Sequence, residues 1–319
     1  MPARRRRPLR SWLPARSLEE RADCCSPRAH RRTAVSASRP RRSVSRPAHG
    51  YRLGCVPSSR HDSSEPMRVF ALSDPHLALD TPGKSMDRFG PQWVDHATTM
   101  ARNWDRLVGD DDLVLVPGDI SWARDLEHAA ADLSWLAERP GTKLIGKGNH
   151  EYWWKSRAKV RTALPAGILA VDADAVRVGD VAVGGSRLWD SPDSAGWWHD
   201  LIVWQGEPIS NEQSPEQEAA SLKIYKRELQ RLERGLEALD ADASVRIAML
   251  HYPPAGPGLP PNEATALLER HGVQHCVYGH LHAVDPARVS QTGGEARGIR
   301  YLCASCDLLD FAPALVCEV

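Results

Sequence analysis

The chain has no run approaching the ~20 consecutive apolar residues that a membrane helix requires. It has no apolar core of a secretory signal either. Both absences lead us to expect a soluble, cytoplasmic protein with no membrane partner. No internal repeat is visible. Cys303-Ala304-Ser305-Cys306 has CxxC spacing but no second pair, so a structural zinc site is not supported. These thiols follow a strand-like run and are expected to be buried packing groups. Lysine is absent from the first 66 residues of a chain that holds 41 Lys and Arg.

That last absence divides the chain. Positions 1–66 carry 16 Arg and five acidic residues, a net +11; positions 67–319 carry 25 basic and 36 acidic residues, a net −11. The first segment is rich in Arg, Ser and Pro, and cannot bury enough apolar surface to offset its ordering entropy. We expect a disordered extension over 1–66 and one domain over 67–319. The extension fits a nucleic-acid-binding tail, an organelle transit peptide, or translated upstream sequence with the native start at Met67. The third reading is preferred, because Met67-Arg68-Val69-Phe70-Ala71-Leu72-Ser73-Asp74 runs directly into a first strand.

The body alternates strand-like and helix-like segments. Strands are expected at Val69–Ser73, Asp112–Pro117 and Lys143-Leu144-Ile145, with helices over Pro91–Val108 and Arg124–Glu138 between them. Leu113-Val114-Leu115-Val116 is a continuous apolar run suited to a strand covered on both faces. The order implies an α/β fold with a parallel core. Ile168–Val171, Ala175–Val178 and Val181–Gly184 follow without helices, the last two joined by Gly179-Asp180, and suggest a second, mixed or antiparallel sheet. Residues 190–214 read as an irregular insertion. Pro215–Leu239 has an amphipathic stripe through Leu222, Tyr225, Leu229, Leu232, Leu236 and Leu239. Strands at Val245–Leu250 and Cys276-Val277-Tyr278 flank a helix over Pro261–His271. Tyr301-Leu302 and Ala314–Val316 complete the strands.

Five polar blocks stand where these strands end: Asp74-Pro75-His76, Gly118-Asp119, Gly148-Asn149-His150-Glu151, His251 and Gly279-His280-Leu281-His282. An α/β sheet gathers such loops onto one rim. Carboxylate and neutral imidazole suit Mn, Fe and Zn. Asp119 can bridge two ions through its two oxygens. Asp74, His76, Asp119 and His282 could then serve one ion; Asp119, Asn149, His251 and His280 could serve the other. Two adjacent divalent ions, Mn²⁺ first with Fe²⁺ or Zn²⁺ as alternatives, suit phosphoester hydrolysis. His150 is left over and is a candidate general acid. Glu151 could orient its ring.

The ordered series DxH, GD, GNHE, H and GHxH, from Asp74 to His282, resembles the calcineurin-like metallophosphoesterase superfamily. The GDISWA and SRLWDSP segments are similar to a bacterial subgroup of phosphohydrolases without a defined substrate. The resemblance implies a four-layer α/β/β/α sandwich of two mixed sheets. It also implies a dinuclear centre with a bridging hydroxide as nucleophile, acting on a small phosphomonoester, a phosphodiester or a phosphoprotein. Many members carry Arg four residues after the second-block Asp. Here Ala123 holds that position and Arg124 follows it.

A non-catalytic binding scaffold and a nucleic-acid phosphodiesterase are the alternatives. The acidic body disfavours tight binding to a nucleic-acid backbone. His96, His128, His199, His271 and His275 lack motif context and are expected to be structural or exposed. Asp110-Asp111-Asp112, Asp190 and Asp193 are expected to face solvent. Trp93, Trp104 and Trp135 fit helical stripes and the core. Trp122, Trp153 and Trp154 follow metal blocks, while Trp189, Trp197, Trp198 and Trp204 lie in or beside the insertion. Arg124, Trp122 and Trp153 are the candidate substrate contacts.

Overall fold

A computed structural model describes residues 66–192, 198, 201–204, 207–208 and 214–319. The expectations for the extension, apart from Pro66, lie outside the described residues, as do those for Asp193, Trp197 and His199. Among the described residues no helix is long and apolar enough to cross a membrane.

In chain order the strands are β1 (Arg68–Ala71), β2 (Leu113–Val116), β3 (Thr142–Ile145), β4 (Ile168–Ala170), β5 (Asp174–Val178), β6 (Val181–Gly185), β7 (Val203–Trp204), β8 (Glu207–Pro208), β9 (Val245–Met249), β10 (His275–Tyr278), β11 (Gly294–Ala296), β12 (Ile299–Cys303) and β13 (Ala314–Glu318). The α-helices are α1 (His96–Leu107), α2 (Leu126–Ala137), α3 (Arg157–Ala163), α4 (Pro215–Glu237) and α5 (Glu263–Arg270). One sheet has the order β13-β1-β2-β3-β4, the other β11-β12-β10-β9-β6-β5, and β7 and β8 form a separate ribbon. In the first sheet β1 to β4 are parallel and β13 is antiparallel to β1. In the second, β6, β9, β10 and β12 are parallel, with antiparallel β5 and β11 at the edges. Both sheets are therefore mixed.

The side-chain period of two explains why the sheets stack. In β2, Val114 and Val116 face α1, α2 and α3, while Leu113 and Leu115 face the second sheet. In β10, Val277 faces the first sheet, while Cys276 and Tyr278 face α4 and α5. Burying both faces of each central strand gives the α/β/β/α layering. One assignment needs correction. The segment at Ile168 does not begin the second sheet; β4 pairs parallel with β3 at the edge of the first. The helix that makes this crossover, α3, is only seven residues long. Its single buried side chain, Val160, leaves too little apolar periodicity to detect.

The helices start where capping chemistry places them. Asp125 accepts from the His128 N–H at the start of α2. Ser214 and Gln217 form a capping box at α4, and Asn262 and Thr265 form one at α5. The predicted stripe of α4 buries Tyr225, Leu232 and Leu236, but Leu222 is exposed. At one rim the sheets are tied together: Ser73 N–H donates to Ala304 O at 2.7 Å, and Cys306 N–H donates to Ser73 O at 3.0 Å. This tie brings the carboxyl ends of β1 and β12, and with them the polar blocks of both sheets, to one place.

Candidate metal centre

Every polar block leaves the carboxyl end of a parallel strand. Asp74 and His76 follow β1, Asp119 follows β2, and Asn149, His150 and Glu151 follow β3. His251 follows β9, and His280 and His282 follow β10. The turns there are sharp. Asp74, His76, Asp119 and His280 all have left-handed backbone, with φ of 59°, 46°, 52° and 73°. Such a conformation in a non-glycine residue costs on the order of 1–3 kcal/mol and persists only where the surroundings enforce it. Four instances at one rim mark a site to which stability is conceded. The adjoining glycines are sterically required: a Cβ on Gly148 would collide with the Asp119 carboxylate, and one on Gly279 with Asp74.

The side chains converge in two groups. In the first, His76 Nε2 lies 3.1 Å from His282 Nε2, and His282 Nε2 lies 3.6 Å from Asp74 Oδ1. In the second, Asn149 Oδ1 lies 2.7 Å from His251 Nε2 and 3.1 Å from His280 Nδ1. Asp119 stands between them, its Oδ2 3.8 Å from His76 Nε2 and 3.5 Å from His251 Nε2. The donor atoms of Asp74, His76 and His282 lie within 4.8 Å of one another, as do those of Asp74, Asp119 and His251.

This donor set fits divalent ions on its own chemistry. Asp74, Asp119 and His251 are buried, and buried charge needs a partner. Burial pushes the His251 imidazole down to about 3 and holds His76 and His280 well below the usual histidine range. Their nitrogen lone pairs are thus free for a cation. Burial, reinforced by the charges of Glu151 and Asp74, holds the Asp119 carboxyl well above the usual range. Burial opposes ionisation of Asp74 too, but the His282 hydrogen bond and the nearby imidazoles override it and lower its pKa. His282 is the exception among the imidazoles. Burial acts against its charge, yet the carboxylates of Asp307 and Asp74 raise its pKa well above the ordinary value.

Asp307 was not anticipated from the sequence. Its Oδ1 lies 2.7 Å from His282 Nδ1, and its Oδ2 accepts from Ala283 N–H at 3.0 Å. This fixes the ring so that Nε2 faces the first group, a common support for a metal-binding histidine. Asp307 follows β12 just after the CxxC pair, so its place at a strand end was the available signal. Ser305 Oγ donates to Asp74 Oδ2 at 3.2 Å. Buried Asp132, from α2, accepts from Leu79 N–H at 2.9 Å and from the Ser121 hydroxyl. It staples the β1 and β2 loops together. The CxxC thiols are buried and free as expected, and Cys306 Sγ donates to Asp74 O.

His150 lies beside the centre. Its Nε2 is 3.8 Å from Asp119 Oδ2, its buried Nδ1 has no hydrogen-bond partner, and burial pushes its pKa down to about 4. The expected support from Glu151 is not what the structure places there. Both Glu151 oxygens accept backbone N–H groups, from Asp119 at 2.9 Å and also from Ile120 and Gly148. Burial nevertheless raises its pKa to about 7. Glu151 clamps the β2 loop to the β3 loop and does not touch the imidazole, because three unpaired backbone donors converge on it first.

Other assignments also change. Trp153 is fully buried in the outer core of the first sheet, together with Trp154, so neither lines a cleft. Trp122 does border the site: its indole stacks on His76 at 5.0 Å and lies 4.4 Å from the His150 ring. Arg124 is exposed, one residue before the α2 cap. Trp189 packs against Tyr252 at 4.7 Å, and Tyr252 against His280 at 4.0 Å. Asp190 is half-buried, and burial pushes its carboxyl up to about 6. Asp112 is buried and paired with Arg68 at 2.6 Å. His96 lies under the β1 loop, its ring nitrogens 3.1 and 3.0 Å from Trp93 O and Pro75 O.

With this geometry in place, the comparison with known families is decisive. The calcineurin-like phosphoesterase model matches residues 67–284, and the chain belongs to that family. Its Asp and His clusters, Asp74 with His76 and His282 and Asp74 with Asp119 and His251, are groups that could hold metal. Two curated relatives are similar over shorter stretches. The Gene 66 protein of Mycobacterium phage D29 is 37% identical over 83 residues, covering 26% of this chain and 40% of that protein. The Gene 66 protein of Mycobacterium phage L5 is 42% identical over 57 residues, covering 18% and 27%. The matches thus span less than half the length of either relative. Solved structures with related outlines include phosphopantetheinyl hydrolase from Mycobacterium tuberculosis, at 17% identity and TM-score 0.41 over 76% of this chain and 90% of that one. TT1561 of Thermus thermophilus aligns at 13% identity and TM-score 0.42 over 78% and 98%. Calcineurin-like phosphoesterase YfkN from Bacillus subtilis aligns at 14% identity and TM-score 0.39 over 80% and 89%. At these scores the likenesses add nothing to the assignment.

Proposed function

We propose that this phosphoesterase works with two divalent cations, Mn²⁺ first and Fe²⁺ or Zn²⁺ as alternatives, and hydrolyses a small phosphomonoester or phosphodiester. The observation that carries the reading is the placement of Asp119, with one carboxylate oxygen near both His76 and His251. Asp74, His76, Asp119 and His282 would hold one ion, and Asp119, Asn149, His251 and His280 the other. When bound, the ions supply charge that polarises the phosphate and acidifies an attacking water.

The chain's own residues complete the chemistry. His150 is not needed as a ligand, and its ring stands at the edge of the centre. It holds a proton for the oxygen that leaves. Burial keeps the ring neutral at pH 7, and the negative charge of an arriving phosphate favours its protonated form. Trp122 packs against both His76 and His150 and fixes their separation. Glu151 and Asp132 hold the loops that carry Asp119 and His76. A cytoplasmic setting belongs to the same proposal; the four described cysteines are free thiols, the state a reducing compartment maintains.

The test is direct. The full chain, stripped of metal and reloaded with Mn²⁺, is assayed against para-nitrophenyl phosphate and its bis ester. Hydrolysis of either that depends on metal is expected. Failure to cleave both, with two ions bound, would defeat the hydrolytic reading.

A further inference from the structure

A small pocket opens beside the metal centre. It has a volume of about 280 Å³ and is lined by His76, Thr81, Lys84, Met86 and His96, among others. Thr81, Lys84, Ser85 and His96 give it a polar lining, so the pocket suits a polar guest. Its size lies at the low end for ligand sites, which start at roughly 300 Å³. It has room for part of a small molecule, not for a polymer.

Lys84 stands at this pocket. Among the described residues its ammonium is not part of any ion pair; it lies over the Trp122 indole, 5.3 Å from the ring centroid. The platform is fixed from below, since Trp122 Nε1–H donates to the thioether Sδ of buried Met86 at 3.3 Å. Met86 is two residues from Lys84, so the same contact sets the position of the lysine's loop. Gly83, with φ of 79°, supplies the turn before it. A cation held over an aromatic face remains free to bind an anion. Lys84 is exposed, so its ammonium can meet an anion arriving from solvent.

Position decides what the anion is. The Trp122 indole under Lys84 packs on both His76 and His150, so the ammonium stands at the edge of the centre, one ring away from each. His150 is the residue proposed to protonate the leaving oxygen. With a phosphate held at the candidate ligands, an anionic group reaching Lys84 would belong to the rest of the ester and not to the phosphate itself. We infer that this pocket, with Lys84, recognises a second negative charge on the leaving group, so that the preferred substrates are phosphoesters of an acidic alcohol component: a carboxylate-bearing alcohol or one carrying another phosphate. This rests on the phosphoesterase reading of the centre and narrows its substrate class.

Two non-hydrolysable probes test it by binding, with no turnover required. Phenylphosphonate and 4-carboxyphenylphosphonate are titrated into the Mn²⁺-loaded full chain by calorimetry. The carboxylated probe is expected to bind about 2- to 5-fold more tightly, the range of a solvent-exposed ion pair, and the preference should shrink at high salt. Lys84→Ala should abolish the preference, and Lys84→Arg should keep it. A wild-type chain with no preference, a Lys84→Ala chain that retains it, or a Lys84→Arg chain that loses it would overturn the inference. If neither phosphonate binds the wild type, the phosphoesterase reading of the centre has failed, and this inference falls with it.

Discussion

The two halves of the metal centre are built differently. Around Asp74, His76 and His282 the donors are held from outside: Asp307 fixes the His282 ring, and Ser305 and the His280 N–H fix the Asp74 carboxylate. Around Asn149, His251 and His280 the donors hold one another, with the Asn149 oxygen facing both imidazoles. His251 Nδ1 is buried without a partner. Donors touch one another in the first half too, His76 Nε2 lying 3.1 Å from His282 Nε2, but His282 also has the Asp307 carboxylate behind it. Among the described residues no carboxylate from outside the candidate ligands stands within hydrogen-bond distance of His251 or His280. On the proposed two-ion reading, the first half should therefore take its ion more tightly than the second.

The largest effect should come from removing what the halves share. Asp119→Asn is expected to lower bound metal from two ions toward none and to abolish turnover, read by elemental analysis of the purified chain. Retention of one tightly held ion would show that Asp119 serves a single half. His150→Ala separates chemistry from both halves: kcat should fall by about 10²- to 10⁴-fold while metal content stays at two. Loss of an ion would instead make His150 a ligand. Asp307→Asn acts on one half alone. It should weaken one ion by about 10- to 100-fold and leave the other unchanged, measured by competition with a chelator. An equal effect on both would erase the contrast drawn above.

The smallest effect is a difference in proton release. His282 has a raised pKa, so the metal-free ring binds a proton that the first ion must expel. His251, pushed down to about 3, and His280, also depressed, are already neutral near pH 7 and release none. Uptake by the first half should weaken as pH falls from 8 to 6. Uptake by the second should stay nearly flat, apart from the share due to Asp119. Calorimetry in buffers of different ionisation enthalpy reads the protons released. Equal release from both halves would contradict the assignment.

Much of this site was legible before the fold. The blocks at Asp74, Asp119, Asn149, His251 and His280 announce themselves because each ends a hydrophobic strand with residues of metal-binding type. The layering also follows from local pattern, since Leu113-Val114-Leu115-Val116 has no polar face to show to water. What escaped is every contact that depends on which loops meet. Asp307 has no motif around it, and it reaches the site through the ties of Ser73 to Ala304 and Cys306, which bring the end of β12 beside β1. Glu151 sits next to His150 in sequence, but its carboxylate turns toward the backbone of a different strand loop. Trp122 and Trp153 have the same relation to their motifs, yet one borders the site and the other is core.

The sequence by itself determined the chemistry available: the kinds of ligand, their order along the chain, and the strands that end in them. Those properties reside in single residues and in short periodicities, which survive without a partner. The tertiary structure alone decided which donors touch, that Asp307 supports His282, and that Lys84 stands over the indole that packs on His150. Those relations join residues distant in sequence, and they arise only when two sheets bury their inner faces and their rims close on each other.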